Sequence, residues 1–166
     1  MTRTALLPGA PELHRGDRMT REEFHRIYEA MPEGFRAELI GGIVYVASPR
    51  KRRHGTNHLP LGTLFFAYEA HTPGVESGDD TTILLGEEGE PQPDLYLRIL
   101  PEFGGQSLTT DNDYVEGAPE LIAEVAQSSR SIDLHAKRDD YTVAEGKPTG
   151  RMSRWGSARP PTGSYG

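Results

Sequence analysis

Apolar residues in this chain fall into short runs of two periods, and their order sets the expected elements. Phe24, Ile27, Tyr28 and Met31 recur at helical spacing. Thr20 precedes them with Glu23 three positions on, the pattern in which a hydroxyl caps a helix and a glutamate bonds back, and Pro32-Glu33-Gly34 ends the run. Residues 35–47 read as a hairpin: Leu39-Ile40 and Ile43-Val44-Tyr45-Val46 are β-prone, and Gly41-Gly42 between them can take the positive φ of a tight turn. A basic loop, Ser48–His54, follows. Leu61, Leu64, Phe65 and Tyr68 predict a second helix from about Leu59 to Ala70, in which Pro60 is tolerable only near the first turn. Thr81–Leu85, Asp94–Leu100 and Leu121–Val125 are runs of strand length, separated by an acidic loop at 86–93 and a polar surface loop at 101–117. Ser128-Ser129-Arg130-Ser131 predicts the cap of a last helix reaching about Ala144.

Helix, strands and helix in this order predict the α/β (α+β) class, a mixed β-sheet flanked by helices. Residues 1–18 lack periodicity and read as an irregular lead-in, 19–144 as the folded domain, and 145–166, rich in Gly, Pro, Ser and Arg, as a disordered tail. A length of 166 residues fits one domain with a core of its own. The absence of cysteine excludes disulfides and thiolate metal sites and is compatible with a reducing cytoplasm. No apolar run approaches the roughly 18 residues that span a bilayer, and the apolar stretch near Met1 is too short for a secretory signal, so the expected location is cytoplasmic. A net charge of −7 weighs against nucleic acid as partner. Carboxylates of a metal site count in that total until a cation arrives, however, and Arg50-Lys51-Arg52-Arg53 concentrates positive charge in one place.

The candidate chemistry lies in the strands. Asp94 opens one apolar run and Glu124 sits near the end of another. A carboxylate inside a buried strand is costly unless a cation or hydrogen bonds offset its desolvation. Taken singly, Pro93-Asp94 reads as a turn signal and Glu124 as an outward-facing residue. Together with Glu38 in the hairpin they make a set of oxygen ligands suited to Mg²⁺, which binds through one or two carboxylates and keeps several waters. Lys137 shares a helix face with Asp133 and Tyr141 at i, i+4 spacing, which is either an ordinary solvated pair or a cation supporting an attacking water.

Four blocks in order, Glu38–Gly42, Gln92-Pro93-Asp94, Ala118–Val125 and Ser131–Lys137, resemble the Uma2 family of restriction endonucleases in the PD-(D/E)XK nuclease superfamily. The resemblance covers residues 19–144. It implies a restriction-endonuclease-like fold and a Mg²⁺- or Mn²⁺-dependent endonuclease that hydrolyses DNA phosphodiester bonds. Asp94 and Glu124 then correspond to the two acidic signature residues and hold the metal. The signature lysine falls at Ala126, and its role passes to Lys137 on the following helix; Glu38 matches an additional acidic residue. Gln127 stands just beyond the active strand, and His54 occupies the place of a histidine the family often carries. Arg50, Lys51, Arg52, Arg53 and His54 become the expected DNA contacts, with a homodimer an open option. The family continues with an apolar strand that nothing after Ala144 resembles. A C-terminally truncated or altered chain, and with it an inactive remnant or non-catalytic binding module, is therefore the alternative reading.

Overall fold

The computed structural model describes residues 12–125 and the backbone strand at 151–154. The last helix expected at 131–144, with Lys137 and Gln127, lies outside the described residues. Among those described, the elements are α1 (Arg21–Tyr28), β1 (Ala37–Ile40), β2 (Ile43–Val46), α2 (Arg52–Ala70), β3 (Val75–Asp79), β4 (Ile83–Leu84), β5 (Leu95–Ile99), β6 (Leu108–Thr109), β7 (Val115–Glu116), β8 (Leu121–Glu124) and β9 (Arg151–Arg154). They form the hairpin β1-β2, a four-stranded sheet in the order β3-β5-β8-β9 and a small sheet β4-β7-β6. The class is α+β with mixed sheets, as the sequence predicts: β5 is antiparallel to β3 and β8, while β9 runs parallel to β8.

The local signals of the N-terminal half hold. Thr20 and Glu23 form the capping box, and Phe24 is the buried anchor of α1. Gly41 and Gly42, at φ 54 and 70, make the turn between β1 and β2. The described part of the lead-in, residues 12–18, is more tightly bound than its composition predicts. Gly16 N–H donates to the Val44 carbonyl at 2.8 Å, Val44 N–H donates to Asp17 at 2.9 Å, and Leu13 enters the core with Phe24, Ala37, Leu39 and Val44.

The second helix departs from expectation at its start. It begins at Arg52, so Arg52, Arg53 and His54 lie on its first turn rather than in a loop, and Pro60 sits in its interior. Gly55 and Pro60 are poor helix residues, but tertiary contacts of His54 and His58 tie down the first two turns, and such contacts override propensity. Of the four apolar residues expected to form its stripe, Leu61 and Phe65 are buried, whereas Leu64 and Tyr68 are exposed. Leu61 and Phe65 pack with Leu95, Leu97 and Ala123 on one face of the main sheet, while Tyr96 and Ile122 join Ile83, Leu85, Val115 and Ala118 on the other. Alternation along β5 and β8 thus produces two cores from one pair of strands.

Four further strands were not expected. β3 carries no apolar alternation, and β6 and β7 are short pairings inside the segment read as a surface loop. The fourth, β9, falls in the stretch read as a disordered tail: Leu121 through Glu124 pair in register with Arg151 through Arg154. Composition failed there because pairing to an existing sheet edge needs backbone groups rather than apolar side chains.

Candidate active site

Asp94 and Glu124 come together at one end of the central strand pair. Leu95 pairs with Ala123, and the next step of that antiparallel register sets Asp94 opposite Glu124. Side chains at such opposed positions lie on one face, with Cβ atoms typically about 5 Å apart. Both residues are buried, at 7% and 8% exposure. The Val125 N–H donates to Asp94 Oδ2 at 2.7 Å, so the backbone just beyond β8 fixes the aspartate.

α2 and the turn before it close over Asp94. The His58 ring donates through Nε2 to the Asp94 carbonyl at 2.8 Å. His54, one turn earlier and stacked on His58 with ring centroids 5.7 Å apart, places Nε2 3.4 Å from Asp94 Oδ1. That is close enough for attraction but too poorly aligned for a hydrogen bond, and this buried nitrogen has no other partner among the described residues. Arg50 brings Nη2 to 3.4 Å from the same oxygen and binds Asp80 with both terminal nitrogens. The hydrogen bond to Asp80 raises the Arg50 pKa above its usual value, reinforced by the charges of Asp80, Asp94 and Glu124 and opposed by burial. Burial alone would raise the Asp80 pKa; the bond from Arg50 and the charges of Arg50 and Arg36 outweigh it and hold the carboxyl below its ordinary value.

Glu38 accepts a 2.8 Å hydrogen bond from the Gln92 backbone through Oε1. The Gln92 side chain donates to Tyr28 Oη and Thr82 Oγ1, at 2.8 and 3.0 Å. Glu38 therefore anchors the Gln92-Pro93 strap that delivers Asp94 into β5. Lys51 stands at the N-cap of α2, and Arg52 and Arg53 are exposed on its first turn. The basic run is thus divided: Arg50 and His54 turn toward Asp94, and the residues between them face solvent. Sequence reasoning missed His58 and Asp80. The i, i+4 spacing of His54 and His58 was available as a signal once the helix was known to start at Arg52, whereas nothing local marks Asp80.

The donor set suits a hard divalent cation. Two buried carboxylates at opposed positions need a countercharge, and their oxygens match the preference of Mg²⁺. Among the described residues no group of three or more His, Cys, Asp and Glu that could hold a metal converges on one point. No helix of the described residues is long and apolar enough to cross a membrane.

Mixed sheets with helices packed against them are the architecture of the restriction-endonuclease-like fold class. The crystal structure of a putative nuclease belonging to DUF820 from Anabaena variabilis ATCC 29413 matches it with a TM-score of 0.59 at 15% identity, over 82% of this chain and 74% of that one. The chain belongs to the Uma2 family, whose model, described as putative restriction endonuclease, matches residues 21–154 and so extends through β9. No curated protein matches the chain.

Proposed function

We propose that this protein is a metal-dependent endonuclease that hydrolyses DNA phosphodiester bonds with Mg²⁺ or Mn²⁺. The observation that carries the reading is the burial of Asp94 and Glu124 one step beyond the Leu95–Ala123 pairing of β5 and β8, in a chain of the Uma2 family. Asp94 and Glu124 hold the cation, which supplies Lewis acidity, lowering the pKa of bound water and offsetting phosphate charge. The Val125 N–H and His58 fix Asp94 in place from its side chain and its carbonyl. Glu38 acts at one remove, by holding the strap ahead of Asp94. Lys137 supports the nucleophilic water. The exposed Lys51, Arg52 and Arg53 meet the phosphate backbone, supplying local positive charge to a chain whose total is negative.

The test is cleavage of supercoiled plasmid with Mg²⁺ or Mn²⁺, for the parent and for Asp94→Asn. The parent nicks or linearises the plasmid only with metal. Asp94→Asn loses at least about 10²-fold in rate, as expected when a metal ligand is removed, while its thermal melt stays cooperative. Retained metal-dependent cleavage in the variant discards the assignment. Duplex binding without Mn²⁺ uptake or cleavage in the parent would make the protein a binding module on the same fold.

A further inference from the structure

Arg50 is held more firmly than a countercharge to Asp94 requires. Its contact with Asp94 is long, 3.4 Å, whereas both terminal nitrogens engage Asp80, Nη1 donating to Oδ2 at 2.6 Å. Asp80 is also paired with Arg36, Nη1 to Oδ1 at 3.3 Å. It sits just past β3 in the left-handed backbone region, at φ 49. Aspartate tolerates that conformation better than most residues, but it is uncommon and clusters where geometry matters. A surface ion pair with one loose contact contributes little, but a planar guanidinium gripped by a two-pronged carboxylate is fixed in orientation. Asp80 thus holds the Arg50 fork beside the Asp94–Glu124 pair whether or not Asp94 is also in contact.

We propose that Arg50 is a catalytic residue that binds the scissile phosphate, and that Asp80 is the positioning residue that presents it. This rests on the nuclease reading above. The guanidinium lies 3.4 Å from Asp94 and partly offsets its charge. Asp94 and Glu124 would hold a divalent cation, and the Asp80 anchor would keep the fork beside them with donors left over for the oxygens of the phosphate. In hydrolysis the water oxygen bonds to phosphorus as the bond to one sugar oxygen breaks. The water gives up a proton, the departing oxygen ends protonated, and the guanidinium offsets charge building on the non-bridging oxygens.

The experiment pairs Mn²⁺ affinity, by calorimetry on the full chain, with single-turnover cleavage of a duplex, for the parent, Arg50→Ala, Arg50→Lys and Asp80→Asn. Arg50→Ala slows cleavage about 10²-fold, the usual loss for one donor to developing charge, with Mn²⁺ affinity equal to or tighter than the parent's because a competing cation is gone. Arg50→Lys fails to restore the rate, since an ammonium cannot hold Asp80 and the phosphate through one planar fork. Asp80→Asn slows cleavage with Mn²⁺ affinity kept, and adding Arg50→Ala to it slows cleavage less than multiplying the two single effects predicts. Weakened Mn²⁺ binding in Arg50→Ala, in step with a lowered melt, makes the residue structural and overturns the proposal. A parent that cleaves no faster than Arg50→Ala removes the role of Arg50 alone. A parent that neither takes up Mn²⁺ nor cleaves removes the nuclease reading and this inference with it.

Discussion

Glu90 is fully buried, and its carboxylate is only half satisfied. His25 Nδ1 lies 2.9 Å from Oε1, while Oε2 has no partner among the described residues. Burial raises the pKa of this carboxyl above its usual 4.5; His25 and Arg21 pull it down by less, and Glu29 adds a small push upward. A raised folded pKa means the folded protein keeps a proton that the unfolded chain has released. The contribution to stability is therefore intact below pH 4.5 and lost as pH rises through the folded value. Glu90→Gln removes the charge and keeps an acceptor for His25. Relative to the parent, its melting temperature should move upward between pH 4 and pH 8, by about 1 kcal/mol or roughly 2–4 °C. A difference between the two proteins that does not vary with pH would show that Glu90 is charged at neither extreme or at both. At this scale the sequence was partly legible. Asp94 and Glu124 announced themselves as charges inside apolar runs, which desolvation makes expensive. Glu90 and Asp80 lie in polar stretches, where a charge is unremarkable until the fold buries it or gives it a partner.

Among the elements, β3 shows why the reading stopped where it did. Val75-Glu76-Ser77-Gly78-Asp79 has no apolar face, and glycine weakens a strand. The strand exists because β5 supplies a five-residue partner, with Gly78 opposite Tyr96. The Tyr96 ring lies over Gly78 so closely that a Cβ added there would collide with the ring and its hydroxyl. The glycine is what admits the aromatic to the core with Ile83, Leu85 and Ile122. Gly78→Ala should therefore cost on the order of 1–3 kcal/mol by overpacking, although alanine is no worse a strand residue than glycine. A thermal melt decides it: an unchanged or raised midpoint would mean that Tyr96 moves aside freely. The strands carrying the candidate site were legible because each supplies its own apolar residues, whereas β3 and β9 take their structure from a neighbour. The start of α2 was hidden for a related reason. Its first turns depend on His54 and His58 reaching Asp94, a contact between segments that no local pattern records.

For the whole molecule, the edge of the main sheet governs whether the site persists. β8 has β5 on one side and β9 on the other, and Glu124 is its last residue, paired through the backbone with Arg154. Removing β9 leaves the outward-facing peptide groups of β8 unpaired next to the site, a template for association with another chain. Loss of the four-residue register also removes the backbone pairing of Glu124 with Arg154, while Asp94 keeps its bonds from Val125 and His58. A chain ending at Gly150 should therefore melt lower than one ending at Arg154, by about 2 kcal/mol or more if each lost ladder bond contributes about 0.5–1.5 kcal/mol. It should also associate in a concentration-dependent way and bind Mn²⁺ more weakly. Melting curves and sedimentation of the two truncations, with and without Mn²⁺, test all three points. Equal midpoints would assign the stability of the site to the β5–β8 pair alone. A lower midpoint with unchanged Mn²⁺ affinity would separate the edge that protects the sheet from the carboxylates proposed to hold the cation.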